Sequence, residues 1–242
     1  MSNDPRPRNP SRRGKTTCAV LPVKPFGDAK ERLATGLGSD QRRMIAEAMV
    51  RDVLAALANS QALDALVVVS AEPRIAELAG GVADAILEDD LSGHSEAAKL
   101  GAAWAIEHGF DTVVMLPGDC PLLDPVELDA TLERFHLDRM QLAVVPDRMG
   151  SGTNALVISP PDAIAPSFGP DSRQRHLALG LAASLRTIAV EVPTLALDLD
   201  TSDDLLELAE QLAESDHNAI NTEAVVATLM TDRRRLPGGY AR

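Results

Sequence analysis

The chain is short of cysteine, of positive charge and of long apolar runs, and each shortage removes a class of protein. Its two cysteines, Cys18 and Cys120, have neither the paired spacing of a zinc site nor the framework of a small disulfide-stapled domain. Both fall in or beside predicted buried strands, which fits a reducing cytoplasm. Acidic residues exceed basic ones by 36 to 23, and the net charge of −13 argues against broad nucleic-acid binding and suits a protein that holds cations. No segment is long and apolar enough to cross a membrane. Residues 1–15, with Arg6, Arg8, Arg12, Arg13 and Lys15 among prolines, lack the apolar centre of a signal peptide and are expected to form a disordered basic tail. Neither His94 nor His176 has a serine or cysteine placed with it as a nucleophile, so no hydrolase triad is present. No Walker-type glycine pattern and no internal repeat occur.

What remains is a chain of 242 residues, 45% apolar, able to bury a full core as one α/β domain or two small ones, and the lack of a long polar linker favours one. Apolar runs over Thr17–Val23, Leu66–Ser70, Ala85–Leu87, Thr112–Leu116, Leu142–Val145, Ala155–Ser159 and Thr187–Val192 read as strands. Helical patterns over Ser39–Asn59, Pro73–Leu78, Ser95–His108, Pro125–Phe135, from Ser202, and over Thr222–Met230 separate or follow them. That alternation predicts parallel βαβ units and a mostly parallel central sheet flanked by helices. Ala98, Gly101, Ala102 and Ala105 put small residues on one helical face, which predicts close packing on the sheet. The domain is expected over 16–215, with 216–242 forming a C-terminal helical extension and a flexible end.

The most informative run is Thr112-Val113-Val114-Met115-Leu116-Pro117-Gly118-Asp119-Cys120-Pro121. A buried strand, stopped by Pro117 and Gly118, delivers Asp119 where open parallel sheets gather their ligands, beyond the carboxyl ends of the strands. Asp119 could instead cap the following helix. Asp124 already suits that task, with Pro125 at the first helical position, so Asp119 reads as a metal ligand.

Asp198 and Asp200 lie two apart on an extended segment, so they share a face and can converge on one hard cation such as Mg2+. By itself, Asp198-Leu199-Asp200-Thr201-Ser202 reads equally well as an acidic helix entry. After the first strand, Lys24, Lys30 and Arg32 are candidates for triphosphate contacts, although solvated surface cations are the commoner outcome of such a loop. Gly150-Ser151-Gly152-Thr153-Asn154 and Ser167-Phe168-Gly169-Pro170-Asp171-Ser172-Arg173-Gln174-Arg175-His176 are rich in donors that could cradle an anion. For the second loop, a plain helix start with Asp171 or Ser172 as cap and His176 at the surface is equally consistent.

Taken in order, Leu21-Pro22-Val23-Lys24 with Ala29-Lys30-Glu31-Arg32-Leu33, Leu116-Pro117-Gly118-Asp119, Gly150-Ser151-Gly152-Thr153-Asn154-Ala155-Leu156, Phe168-Gly169-Pro170-Asp171-Ser172 with Arg175-His176, and Leu197-Asp198-Leu199-Asp200-Thr201 resemble the CofC/FbiD guanylyltransferases. The resemblance covers roughly residues 17 to 212. It implies a Rossmann-like sheet of the glycosyltransferase-A, nucleotide-diphospho-sugar transferase type. It also implies transfer of GMP from GTP to phosphoenolpyruvate or 2-phospho-L-lactate, with the product passed to a deazaflavin transferase in coenzyme F-420 biosynthesis. By the same resemblance Asp119, Asp198 and Asp200 bind Mg2+ and, with Lys30, form the catalytic group. Lys24, Lys30, Arg32 and Gly118 meet the nucleotide, while Thr153, Gly169 and Ser172 hold the phosphate of the acceptor. Gly93-His94-Ser95-Glu96-Ala97-Ala98, where some members carry a Leu-Asn pair, is expected beside the base. A cytoplasmic monomer or homodimer, with no nucleic-acid or membrane partner, completes the expectation. The competing readings are a molybdopterin or sugar-phosphate nucleotidyltransferase, whose Leu-x-Gly-Gly opening this chain lacks, and a catalytically silent nucleotide-binding module.

Overall fold

The computed structural model describes residues 15–27, 30–34, 36–89, 93–214 and 217–235. Most of the expected N-terminal tail, Asp28, Ala29 and Asp90, and the basic end after 235 lie outside the described residues. Seven strands form one sheet: β1 (Thr17–Val23), β2 (Ala65–Ser70), β3 (Ala85–Glu88), β4 (Thr112–Met115), β5 (Leu142–Pro146), β6 (Thr153–Ile158) and β7 (Thr187–Ala189). Their order is β3-β2-β1-β4-β6-β5-β7. β1, β2, β3 and β4 pair in parallel, β6 runs antiparallel to both β4 and β5, and β7 is parallel to β5. A mostly parallel Rossmann-like sheet is therefore observed. The helices are α1 (Ser39–Asn59), α2 (Ile75–Ala79), α3 (His94–Glu107), α4 (Pro125–Leu137), α5 (Ser172–Ala182), α6 (Pro193–Ala196), α7 (Ser202–Glu214) and α8 (Ile220–Arg235).

Alternation along the strands sorts side chains between two cores. Ala19, Leu21 and Val23 of β1 face the layer holding Val50 and Val53 of α1 and Leu128 and Leu132 of α4. Cys18 and Val20 face α3, whose Ala98, Ala102 and Ala105 line the opposite layer. The small-residue stripe works as expected. A Cβ on Gly101 would stand 2.3 Å from Val20 Cγ1, so α3 packs against β1 at a distance that only glycine permits. A third cluster joins Ile45 and Met49 of α1 to Leu205 and Leu208 of α7 and to Val226 and Leu229 of α8. The buried Asp52 carboxylate accepts the backbone N–H groups of Asn221 and Thr222, fixing the first turn of α8 on α1.

Several boundaries differ from the sequence pattern, among them the end of β7. The predicted strand to Val192 stops at Ala189, because Pro193 opens the short helix α6 at its first turn. The second donor-rich loop opens α5 as the helix-start reading allowed, with Asp171 in the left-handed region as its N-cap.

Strand direction decides where the functional groups meet. β1, β2 and β4 end at one edge of the sheet, and β5 ends there too, because it is antiparallel to β6. β6 runs the other way, so its beginning, Thr153 and Asn154, arrives at the same edge as Asp119 after β4.

Candidate active site

A cleft of about 730 Å³ opens along that edge. Every residue expected at the site borders it: Lys24, Lys30, Arg32, Gly118, Asp119, Thr153, Gly169, Ser172, Asp198 and Asp200. One end of the cleft carries charge. The Lys30 ammonium is 2.5 Å from Asp119 Oδ2 and 3.1 Å from Asp200 Oδ1, with the Lys30 side chain 7% exposed. Lys30 is thus held between two carboxylates, a more enclosed position than the solvated loop cation its sequence context suggested. Its φ of 60° places a non-glycine residue in the left-handed region, so the loop is bent to deliver that ammonium. Arg32 lies 3.6 Å from Asp200 Oδ2 but is 76% exposed, and Lys24 stands exposed on the rim.

Burial opposes ionisation of Asp119, but the adjacent Lys30 charge outweighs it and holds the carboxyl below its usual range. Burial also disfavours the Lys30 ammonium, and Asp119 followed by Asp200 reverses that, pushing its pKa up. Asp198 fares differently. Burial, then the Asp119 charge, raise it to about 6, although Asn154 Nδ2 donates to its Oδ1 at 3.3 Å. Cys120, buried beside these aspartates, is pushed up by desolvation and is no nucleophile.

Asp119 and Asp200 share the buried Lys30 ammonium, and Asp198 lies near enough to both for their charges to help suppress its ionisation, so the cleft offers hard oxygen donors of the kind a divalent cation takes. Among the described residues, no group of three or more His, Cys, Asp or Glu side chains stands close enough to hold an ion unaided. Mg2+ is commonly held by one or two carboxylates together with substrate phosphates, for which a closed protein cage is not required.

Sequence reasoning missed the residues that hold these carboxylates. Asn154 donates to Leu195 O and Ala196 O, tying the approach to Asp198 onto β6. Asp204 accepts the N–H groups of Asp200 and Thr201 through Oδ2, and Thr201 Oγ1 accepts from Asp204 N. This reciprocal pattern is the capping box that Thr201-x-x-Asp204 encodes. Arg148 binds Asp204 Oδ1 at 2.6 Å and so joins the β5–β6 loop to the same turn.

Another part of the cleft wall is rich in hydroxyl and amide donors, with Asp147 also lining the cleft beside it. Thr153, Gly169 and Ser172 meet there, where α5 begins. Gly169 has φ +109°, a conformation that side-chain-bearing residues rarely adopt. Arg175 closes the loop from beneath, with Nη2 donating to Ser167 O and Phe168 O and Nη1 donating to Pro170 O. His176 is fully buried, which corrects the surface placement allowed for it by the plain helix-start reading. Burial and the Arg175 charge lower its pKa to about 4. A second hollow of about 200 Å³ adjoins the cleft behind Lys24, and Gly93, His94 and Ala97 form part of its wall.

Residues 17–220 match the family described as guanylyl transferase CofC like. The chain belongs to that family. As a CofC-like guanylyl transferase it is a nucleotidyltransferase. It is 44% identical over 217 residues to the phosphoenolpyruvate guanylyltransferase of Conexibacter woesei, covering 89% of this chain and 97% of that one. Relatives with other acceptors in their names are also similar. The 2-phospho-L-lactate guanylyltransferase of Methanothermobacter thermautotrophicus is 33% identical, covering 79% of this chain and 83% of its own. The 3-phospho-D-glycerate guanylyltransferase of Phenylobacterium zucineum is 34% identical, covering 79% and 88%. Among solved structures, a putative nucleotide-diphospho-sugar transferase from Desulfovibrio desulfuricans superposes with a TM-score of 0.72 at 21% identity, covering 89% of this chain and 97% of that one. At that identity the likeness speaks for the fold, which is of the nucleotide-diphospho-sugar transferase type.

Proposed function

We propose that this enzyme transfers GMP from GTP to the phosphate of a three-carbon phospho-acid, phosphoenolpyruvate first and 2-phospho-L-lactate second, releasing pyrophosphate. The observation that carries the reading is one cleft that brings a carboxylate–lysine cluster together with a hydroxyl- and amide-rich loop. A triphosphate and a small phosphorylated acid make different demands, and these two groups of residues suit them separately. The 44% identity to a phosphoenolpyruvate guanylyltransferase supports that acceptor.

A phosphate oxygen of the acceptor attacks the α-phosphorus of GTP. The new P–O bond forms as the bond from the α-phosphorus to the bridging oxygen breaks, and pyrophosphate leaves with that electron pair. A phosphate monoester has a second pKa of about 6 and is mostly dianionic at pH 7, so no general base is needed. This accounts for a site whose buried histidine is held neutral and away from any proton-abstracting role. Thr153, Ser172 and the backbone at Gly169 would hold the acceptor phosphate. Lys24, Lys30 and Arg32, with the backbone at Gly118, would meet the triphosphate, and the hollow beside Gly93 and His94 would take the base. Asp119, Asp198 and Asp200 would hold Mg2+, which when bound offsets phosphate charge and polarises the reacting phosphoryl group. The product would pass to a deazaflavin transferase in coenzyme F-420 biosynthesis, in the cytoplasm, from a monomer or homodimer.

The test is pyrophosphate release with GTP, ATP, CTP and UTP crossed with phosphoenolpyruvate, 2-phospho-L-lactate and 3-phospho-D-glycerate, in Mg2+ buffer. Release is expected with GTP and one of these acids. Silence in every pairing would overturn the assignment.

A further inference from the structure

The buried His176 ring is the polar group that the reaction above leaves without a task. Its two ring nitrogens face different partners. Ser167 N donates to Nε2 at 2.9 Å, and Nδ1 lies 3.0 Å from Thr153 Oγ1. A backbone N–H can only donate, so Nε2 must accept and must be unprotonated. The single proton of the neutral ring therefore sits on Nδ1 and points at Thr153. Desolvation and Arg175 both act to keep the ring neutral at pH 7.

The next link is between two hydroxyls. Ser172 Oγ lies 3.2 Å from Thr153 Oγ1, and Ser172 is 1% exposed. Between them these hydroxyls own two protons, and their mutual hydrogen bond uses one. If His176 accepted at Nδ1 it would take the other, leaving only lone pairs for a ligand, which repel an anion. Because the ring donates instead, one hydroxyl proton stays uncommitted where the Thr153–Ser172 pair lines the cleft.

We infer that His176 is a positioning residue for the acceptor: its Nδ1–H, fixed by Ser167 N–H on the far nitrogen, keeps the Thr153–Ser172 pair set as a net donor to a phosphate oxygen. This rests on the acceptor reading under Proposed function for what the pair binds, but the proton arrangement itself does not. The ring touches neither substrate nor reacting atoms, and its effect passes through Thr153. Arg175 supports the arrangement from the other side. It donates to Ser167 Oγ through Nε and to Ser167 O through Nη2, so the N–H that selects the tautomer is itself held.

Two measurements on the full chain separate the possibilities. In the first, two-bond 1H–15N correlation of the imidazole nitrogens is recorded on wild type at pH 7 without substrate, with His176→Asn identifying the resonance. The expected result is a neutral ring protonated at Nδ1; protonation at Nε2 overturns the proposal. In the second, His176→Leu is expected to raise KM for the phospho-acid by about tenfold or more while KM for GTP stays within about twofold. His176→Asn, which can put an amide N–H near the position of Nδ1, should recover most of that loss. The effect of His176→Leu on kcat/KM should also disappear in a Thr153→Val background. Equal changes in both KM values, or a full His176→Leu effect without the Thr153 hydroxyl, would show a merely structural histidine and overturn the proposal. If wild type releases no pyrophosphate with any phospho-acid, the acceptor reading falls, and the tautomer spectrum still decides the role of the ring.

Discussion

Lys30 Nζ lies 2.5 Å from Asp119 Oδ2, so the carboxylate delivered by the central strand is neutralised by a lysine from the loop after the neighbouring strand. The same ammonium reaches Asp200, which comes from a segment 170 residues further along the chain. One buried charge thus joins three separate parts of the sequence. Without it, Asp119 and Asp200 would repel each other in a partly desolvated cleft, where charges interact more strongly than in water. Lys30→Met should lower the thermal midpoint in metal-free buffer, and millimolar Mg2+ should restore part of the loss. A midpoint unchanged by the substitution would mean that the ion pairs contribute nothing to the folded state.

Asp119→Asn tests the same pair from its other member. The asparagine keeps the shape of the side chain and loses its charge, so the far-ultraviolet circular dichroism spectrum should match wild type. Turnover should fall by at least about a thousandfold, on the scale of losing a principal electrostatic group in an active site. Wild-type rates in this variant would remove Asp119 from the mechanism.

Removing divalent metal offers a check that needs no mutation. EDTA should stop pyrophosphate release, and Mg2+ should restore it. The hard oxygen ligands offered by Asp119, Asp198 and Asp200 favour Mg2+ or Mn2+ over softer ions. Full activity after exhaustive chelation would leave Lys30 and Arg32 as the cations facing the triphosphate and would exclude the metal from the proposed reaction.

The packing of α3 on β1 gives a prediction about stability rather than chemistry. Alanine normally gains about 1 kcal/mol over glycine inside a helix. At Gly101 the added Cβ would meet Val20 Cγ1 at 2.3 Å, so overpacking by about 1–3 kcal/mol should win. Gly101→Ala should therefore unfold at lower urea concentration than wild type, and Val20→Ala in the same chain should relieve most of the loss. A more stable Gly101→Ala would show that the helix can move away from the sheet.

Much of this architecture is legible in the sequence because each strand carries its own signal. Thr17–Val23 and Ser39–Asn59 are bounded as the apolar patterns predict, and Asp124 caps α4 by accepting from Val126 N. The aspartates were readable for a similar reason, since each follows an apolar strand or extended run. What stayed hidden depends on partners far along the chain. Nothing near Lys30 announces that its ammonium will be shared by Asp119 and Asp200. Asn154 looks like one more polar loop residue until Leu195 and Ala196 bring their carbonyls to it. His176 offers the plainest case. Local spacing puts it near the start of a helix, and only Thr153, from β6, and the returning loop at Ser167 enclose it.

That enclosure gives His176 a signature in the pH dependence of stability. Its pKa is about 4 in the folded chain, against about 6.5 for an unperturbed histidine. Between those values the unfolded chain binds more protons than the folded one, so stability rises with pH across the window and falls as pH drops from about 6.5 towards 4. Below the folded value both states are protonated and the loss is complete, at about 3 kcal/mol. Asp198 titrates in an overlapping range with the opposite sign. Its folded pKa is raised to about 6, so it contributes stability present below its unfolded value and lost as pH rises through 6. The histidine is therefore isolated by difference. Urea midpoints of wild type and His176→Asn, measured in metal-free buffer at several pH values from 4.5 to 7.5, should converge as pH falls, because only wild type carries a buried ring that takes up a proton on unfolding. Curves that run parallel across the window would mean that the ring takes up its proton as readily in the folded chain as in the unfolded one, and that burial and Arg175 do not hold it neutral at acid pH.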